Sequence, residues 1–249
     1  MSRGCEFDLA DLSCLSRGLR SQSLGRLRDS AAMRSIPAKT LLFKQGETPS
    51  HLYLVRRGYL KLFHLSIGGT PIGLGFATAG DPPVGAAAVL RQAPHSASAY
   101  AVSDTSVVGW TRAQFEAIAA EDPALLWNVL PALCAQSDAL MTQLREFVTE
   151  PVEQRIAHTL LRIMRTCGEG LPARTPPVSR QDIAELTGTT HFTASRVLKD
   201  WQRQGIIANE RPRILIHDAR RLRDIAEGTR IEARPCRAEI GGAPLAFSS

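Results

Sequence analysis

Residues 178–207 constrain the fold of this chain more than any other stretch. They predict two helices joined by a tight turn at Gly188, where glycine can adopt the positive φ angle that ends a helix. Ser179 is placed to cap the first helix, and Asp182 stands three residues later, as in a capping box. The second helix is expected over residues 190–204. It carries an apolar stripe at three- and four-residue steps, formed by Ala194, Val197, Leu198 and Trp201.

The other side of the second predicted helix is expected to face solvent and includes two basic residues. Its members are His191, Phe192, Ser195, Arg196 and Lys199. A short helix, a glycine turn and a longer helix with a basic outer face are typical of the helix-turn-helix that reads DNA. The alternative is an ordinary helical hairpin inside a core.

The composition of the chain suits a DNA-binding protein and argues against a membrane span. Its 249 residues suffice for two modest domains, and its formal charge of +6 suits a polyanionic partner. No run approaches the ~20 apolar residues that cross a bilayer. The N-terminus lacks the pattern of a secretion signal, so we expect a cytoplasmic protein.

Five cysteines are scattered along the chain, namely Cys5, Cys14, Cys134, Cys167 and Cys236. Their odd number and wide spacing do not predict a disulfide framework. An iron–sulfur cluster is not expected either, because its cysteine ligands are usually closely clustered and no C-x-x-C occurs. Cys5 and Cys14 are interpreted as free thiols, and a redox role for them stays open because exposed thiols react.

Between residues 36 and 111 the sequence changes to short strands separated by glycine and proline. The predicted strands cover residues 40–43, 51–56, 59–65, 70–77, 96–102 and 106–110, with turn signals at 45–47, 57–58, 67–69 and 80–83. This spacing predicts a small β-barrel or jelly roll. Residues 52–62 are interpreted as a hairpin that turns at Gly58, with inner and outer side chains alternating along it.

These motifs together resemble the CRP/FNR superfamily of bacterial transcription regulators. The resemblance rests on the Gly46-Glu47 turn, the Leu-Tyr-Leu-Val-Arg-Arg-Gly segment at residues 52–58 and the helix-turn-helix, in this order and separation. It covers about residues 30–226. It implies an α+β fold with an N-terminal β-roll or jelly-roll sensor domain, a long dimerisation helix and a C-terminal winged helix-turn-helix.

The resemblance and the sequence pattern together give the expected domain boundaries. They are 1–30 for an N-terminal extension, 31–120 for the effector-sensing β-roll, 121–149 for the dimerisation helix and 150–228 for the DNA-binding domain. Residues 229–249 show no periodicity and are expected to form a disordered tail.

A heptad pattern supports the dimerisation helix independently of the resemblance. After residues 121–123, mostly apolar residues follow at steps of four and three, as in a coiled-coil seam. The seam consists of Leu126, Leu130, Leu133, Ser137, Leu140, Leu144 and Phe147. Packing on the sheet of the same chain is the alternative to packing on a partner helix. Pro131 lies within the pattern and should kink the helix or begin a second segment.

The sequence around the helix-turn-helix predicts the rest of a winged domain. The expected elements are a hinge at residues 150–151, a helix at 152–167, a Pro/Gly-rich loop at 168–177, wing strands at 206–208 and 213–216, and a last helix through Ile225. Asp218 is placed to cap that last helix.

Cyclic-nucleotide-binding members of this superfamily carry a Gly-Glu step and, some ten residues later, an Arg followed by a small residue. The Arg pairs with the cyclic phosphate and the Glu accepts from a ribose hydroxyl. The corresponding effector-pocket residues here are Gly85, Ala86, His95 and Ser96, with Ala86 in place of the Glu and His95 about in place of the Arg. Because both contacts are lost, cyclic AMP is not the expected effector.

The sequence leaves the effector open. By resemblance, haem, an iron–sulfur cluster, small organic acids and thiols are the alternatives. His51, His64 and His95 show no metal-ligand spacing, so no metal site is expected. His95 is the best single candidate for a haem ligand because it lies on the pocket-forming segment.

By the same resemblance, nine residues are expected to contact double-stranded DNA. Ser179, Arg180, Gln181, Thr193 and Lys199 are expected at phosphates, and His191, Phe192, Ser195 and Arg196 in the major groove. Family members often have Arg-Glu where this chain has His191-Phe192. Phe192 can pack on a thymine methyl, and Arg196 is expected to pair with guanine. A two-fold dimer should bind an inverted repeat with half-sites about one helical turn apart.

A homodimeric transcription regulator that also contacts RNA polymerase is the favoured interpretation, and no enzymatic activity is expected. A cupin-like enzyme is one alternative, but residues 36–111 offer only three His and one Glu for a metal. A sensor or scaffold that has lost DNA binding is the other. The retained Arg196 and Lys199 argue against it.

Overall fold

The computed structural model of the protein describes residues 13–165, 173–174, 176–210 and 213–228. The helices in these ranges are α1 (Ser13–Ser16), α2 (Ser21–Asp29), α3 (Ala86–Arg91), α4 (Arg112–Glu121), α5 (Ala124–Thr149), α6 (Val152–Arg165), α7 (Arg180–Thr187), α8 (His191–Arg203) and α9 (Ala219–Ala226). The strands are β1 (Ala32–Ile36), β2 (Leu41–Phe43), β3 (His51–Arg57), β4 (Leu60–Leu65), β5 (Pro71–Ala77), β6 (Ser98–Ala101), β7 (Thr105–Thr111), β8 (Ala173–Arg174), β9 (Ile207–Glu210) and β10 (Arg213–Ile216).

The strands β1–β7 form the two antiparallel sheets of an N-terminal β-domain. One sheet has the order β1-β7-β3 and the other the order β2-β6-β4-β5. The six strands predicted from the sequence are confirmed, with their ends shifted by up to two residues. The structure adds β1, whose first four residues are exposed and therefore show no alternation of apolar and polar side chains.

The predicted hairpin at residues 52–62 is wrong, because β3 and β4 belong to different sheets. Leu52–Val55 are buried at four consecutive positions rather than at alternate ones. At Gly58, where φ is +90°, a Cβ would lie 2.5 Å from Oγ1 of Thr105, so only glycine fits. Tyr59 N then donates to the same Thr105 hydroxyl, and the chain continues into the second sheet.

Helices that pack against the sheet containing β3 and β7 complete the β-domain. The described part of the predicted N-terminal extension is not an appendage, because Leu15 and Leu27 are fully buried in its core. Trp110 Nε1 donates to the carbonyl of Leu27 at 2.6 Å. The capped helix α4, absent from the sequence interpretation, leads directly into α5.

Helix α5 is a single element of 26 residues that links the β-domain to the C-terminal domain. Pro131 lies inside it without interrupting it. Proline in the eighth helical position loses one backbone hydrogen bond, which a helix of this length tolerates. No helix in the described part of the chain is long and apolar enough to cross a membrane.

The C-terminal domain is a helix-turn-helix with a small antiparallel sheet. Helices α6, α7, α8 and α9 and the sheet β8-β10-β9 enclose one core, which includes Ile156, Ile183, Trp201 and Leu222. The loop predicted at residues 168–177 contains β8, which pairs with β10. A two-residue strand has too little pattern to be detected in sequence. The predicted tail at 229–249 lies outside the described residues.

Candidate nucleic-acid interface and sensor pocket

Helix α7 begins and ends as its sequence predicts. The Ser179 hydroxyl accepts from Asp182 N at 3.1 Å, and Asp182 Oδ2 accepts from Ser179 N at 2.8 Å, which completes the capping box. Gly188 ends the helix in the left-handed conformation, with φ of +58°. A Cβ on Gly188 would lie 2.9 Å from the Phe147 ring of α5, so the turn also needs glycine for space.

Helix α8 buries the predicted apolar stripe and exposes the opposite side. Thr190 caps it by accepting from Thr193 N at 3.1 Å. The stripe of Ala194, Val197, Leu198 and Trp201 is almost wholly buried. The two helices and the turn therefore have the predicted helix-turn-helix arrangement.

The nine residues expected at DNA are all exposed or half-buried. Ser179, Gln181, His191, Phe192, Arg196 and Lys199 are exposed, and Arg180, Thr193 and Ser195 are half-buried. Phe192 is 78% exposed, so its ring is accessible to another molecule. An apolar ring at the start of a recognition helix can be covered by a thymine methyl.

An open recess of about 440 Å³ lies between α7, α8 and the wing strands β9 and β10. Ser179, Arg180, Gln181, His191 and Ser195 line it, so five of the nine predicted residues meet around one space. Arg180 Nη1 donates to the Ser195 hydroxyl at 2.7 Å and joins the start of α7 to the middle of α8. A guanidinium and the N-terminus of a helix together favour an anion such as a backbone phosphate.

The two basic residues of the outer face are available to a partner. In the part of the chain that the structure describes, the side chains of Arg196 and Lys199 take part in no hydrogen bond or ion pair, and both residues are exposed. The guanidinium of Arg196 thus keeps its donors for a base edge, and the ammonium of Lys199 can neutralise a phosphate.

His95 is the buried residue of the predicted effector-pocket segment. It is only 5% exposed, and its imidazole stacks on the Phe43 ring with centroids 3.8 Å apart and planes 9° apart. A Cβ on Gly85 would lie 3.1 Å from His95 Cε1, so the pocket segment closes tightly around this ring. Burial lowers the pKa of His95, and the nearby Glu47 charge opposes this only in part.

Of the four predicted pocket residues, the structure brings Gly85 and His95 together. It does not bring Ala86 and Ser96 to the same place. Gly85 caps α3, and Ala86 is buried as the first residue of that helix. Ser96 is exposed, and its carbonyl bonds His64 Nδ1 at 2.9 Å. Phe43, the stacking partner of His95, was missed by the sequence interpretation, because its only signal was a large apolar residue at a strand end.

The described residues contain no group of three or more His, Cys, Asp or Glu that could hold a metal ion. Cys14 is half-buried, with Sγ 3.7 Å from the carbonyl of Asp81, and burial raises the pKa of its thiol. Cys134 is exposed on α5. Cys5, Cys167 and Cys236 lie outside the described residues.

Helix α5 presents an apolar surface to solvent. Leu126, Leu130, Leu140 and Leu144 of the predicted seam are 42–56% exposed. Trp127, Met141 and Val148 add exposed apolar area that the seam does not include. Phe147, the last seam residue, is half-buried instead against Gly188 of the same chain, with the Arg155 guanidinium 5.4 Å from its ring centre.

A two-sheet β-domain, a long helix with an apolar face and a winged helix-turn-helix define the class of effector-responsive DNA-binding regulators. Models of two protein families match the chain in the same order. The cyclic nucleotide-binding domain matches residues 33–122, and the Crp-like helix-turn-helix domain matches residues 154–225. The chain belongs to the CRP/FNR superfamily of transcription regulators, in which effector-controlled DNA binding is typical.

Individual relatives agree with this assignment over most of the chain. The cyclic AMP receptor protein of Thermus thermophilus is 27% identical over 87% of this chain and 98% of its own length. The transcriptional activator protein Anr of Pseudomonas protegens is 28% identical over 87% and 89%. The solved structure of FixK2 from Bradyrhizobium japonicum has a TM-score of 0.68 at 22% identity and covers 78% of this chain and 96% of its own, which shows the fold.

Proposed function

We propose that this protein is a homodimeric transcription regulator that binds an inverted-repeat operator with α8 in the major groove. The observation that carries the proposal is the outer face of α8, where Phe192, Arg196 and Lys199 are exposed beside the recess at α7. Arg196 reads guanine, Phe192 packs on a thymine methyl, and Lys199 with Ser179, Arg180 and Gln181 binds phosphates. His191 and Ser195 contact neighbouring bases, and Thr193 contacts the backbone.

The apolar face of α5 is the proposed dimer interface. Leucines at heptad positions that are about half exposed would be buried by the same face of a second copy. An exposed recess of about 370 Å³ near the start of α5, lined by residues including Leu126, Trp127 and Leu130, continues this face. A two-fold arrangement then presents two copies of α8 to one side of the DNA.

Cyclic AMP is not proposed as the effector. A cyclic phosphate needs a cation, and the segment here offers a buried imidazole whose pKa is lowered, and which is therefore neutral near pH 7. The ribose hydroxyl needs an acceptor, and Ala86 has none. We propose a redox signal or another small molecule as the effector. The pocket residues favour neither haem nor an iron–sulfur cluster. RNA polymerase is the proposed further partner, because an operator-bound regulator acts at a promoter.

The proposal is tested by selecting DNA from a random-sequence duplex library with the purified full-length protein. We expect an enriched inverted repeat with half-site centres about 10 base pairs apart, bound as one dimer. Binding that is salt-dependent but enriches no sequence would contradict the proposal. Adding cyclic AMP should change neither the operator affinity nor the unfolding temperature, although a ligand at 100 times its Kd would stabilise the fold by about 2.7 kcal/mol.

A further inference from the structure

A buried lysine of the β-domain contacts the first helix of the helix-turn-helix. Lys61 lies on β4 and is only 8% exposed. Its Nζ atom lies 2.5 Å from Asp182 Oδ1 and 2.5 Å from Glu185 Oε2, both on α7. These ion pairs connect positions 121 and 124 residues apart in sequence and join the two domains.

Apolar packing and a backbone contact surround the ion pairs. Phe76, which pairs with Lys61 across β4 and β5, packs against the core of the C-terminal domain. A Cβ on Gly73 would lie 2.9 Å from the Leu186 side chain, so β5 and α7 approach closely. From the other side, Gln143 Nε2 of α5 donates to the Leu186 carbonyl at 3.0 Å. Helix α7 is thus held between β5 and α5.

One ammonium group faces two carboxylates at this contact. Burial alone would lower the pKa of Lys61, but the hydrogen bonds and charges of Asp182 and Glu185 outweigh it and raise that pKa. The ammonium group therefore stays charged at neutral pH. If Lys61 were removed, two nearly buried carboxylates would lose their common cation, which is strongly unfavourable.

Each carboxylate also holds a residue proposed to contact DNA phosphate. The second oxygen of Asp182 accepts from Ser179 N and Oγ at 2.8 and 2.7 Å. The second oxygen of Glu185 accepts from Gln181 Nε2 at 2.9 Å. Lys61 is thus connected to Ser179 through Asp182 and to Gln181 through Glu185, although it lies in the other domain.

We propose that Lys61 is a positioning residue for DNA binding, through which the β-domain sets the orientation and charge of α7. This inference rests on the proposed function. The contact of the β-domain with α7 leaves Ser179, Gln181 and Phe192 exposed, so this contact is compatible with bound DNA. Without Lys61, the charges of Asp182 and Glu185 would be turned toward the phosphates and repel them.

The same strand connects Lys61 to the pocket segment. Lys61 is paired with Tyr100 of β6, and β6 begins two residues after Ser96. His64, three residues after Lys61 on β4, bonds the Ser96 carbonyl. A ligand that displaces the His95 segment would therefore act on the strand that holds α7. This gives a physical route by which the pocket controls the affinity for DNA.

The test compares Lys61→Met with the wild type in operator binding over a range of salt concentrations. We expect an affinity lowered about tenfold, within the 5- to 150-fold range common for coupled sites. The salt slope, which is the slope of log affinity against log salt concentration, should be unchanged. Lys199→Ala serves as the reference, because loss of a direct phosphate contact reduces that slope by about 1. Lys44→Met, a change at an exposed lysine of the same domain, should match the wild type.

A double variant distinguishes the loss of the ion pairs from simple unfolding. Lys61→Met combined with Glu185→Gln should bind operator more tightly than Lys61→Met alone, since one of the two unpaired charges is gone. Amide hydrogen exchange without DNA should be faster in α7 of Lys61→Met than in the wild type.

Three results of the binding experiment would overturn the inference. They are an unchanged affinity of Lys61→Met, a tighter affinity, or a salt slope that falls as it does in Lys199→Ala. Unchanged exchange in α7 would overturn it even if the wild type bound no specific operator. If the wild type bound no specific operator, the library selection would contradict the proposed function. The exchange experiment would still test the role of Lys61 by itself.

Discussion

The imidazole of His95 lies face to face with the phenyl ring of Phe43, with ring centroids 3.8 Å apart and the histidine 95% buried. By its resemblance to the superfamily, the sequence predicts that His95 stands about where cyclic-nucleotide-binding members have an Arg for the cyclic phosphate. We therefore propose that a stacked imidazole takes the place of a cation in the effector pocket of this chain.

The first prediction concerns pH. The folded-state pKa of His95 lies below its unfolded value of about 6.5, so the unfolded chain binds the proton more tightly. The contribution of His95 to stability is therefore present above about pH 6.5 and is lost as pH falls below it. Urea unfolding of the wild type and His95→Phe between pH 7.5 and 5 should show a steeper loss for the wild type, since phenylalanine keeps the stack without titrating. Parallel curves would contradict the assignment.

The second prediction separates base reading from phosphate binding. Arg196→Ala should lose roughly 1–3 kcal/mol of binding at one base pair per half-site, because a bidentate contact with guanine is removed. Lys199→Ala should weaken binding to all sequences about equally and reduce the salt slope by about 1. Electrophoretic shifts with the selected operator and single-base variants measure both effects. Tight, fully specific binding by Arg196→Ala would disprove its role.

The third prediction concerns Phe192. If its exposed ring packs on a thymine methyl, replacing that thymine by deoxyuridine should cost about 0.8 kcal/mol, or about fourfold in affinity, for the wild type. The same DNA change should have no effect on Phe192→Ala. A thymine-to-deoxyuridine scan across one half-site identifies the position. If no position distinguishes the two proteins, Phe192 does not read a methyl group.

The fourth prediction concerns the dimer. Leu140→Glu puts a charge in the middle of the α5 apolar face and should shift the protein to monomers in sedimentation equilibrium and weaken operator binding. Thr142→Glu is the matched control, since residue 142 is also exposed but lies on the opposite side of the helix. Dimers that persist in Leu140→Glu at the concentrations of wild type would place the interface elsewhere.

The sequence by itself determined those features whose causes are local. The cap at Ser179, the turn at Gly188 and the stripe through Ala194 and Trp201 depend on residues within one or two helical turns of each other, so spacing alone predicts them. The same holds for the heptad pattern of α5 and for most strand positions. From these local patterns the order of the domains and the helix-turn-helix followed.

Only the tertiary structure decided which distant residues meet. Whether the chain at Gly58 turns back or crosses to the second sheet depends on space beside Thr105, which no local pattern reports. The stacking of His95 on Phe43 and the ion pairs of Lys61 with α7 join residues 52 or more positions apart. Alternation along β4 marks Lys61 only as a polar position. Its buried, charged state requires two carboxylates that another domain brings to it, because burial of an ammonium group is tolerated only beside such partners.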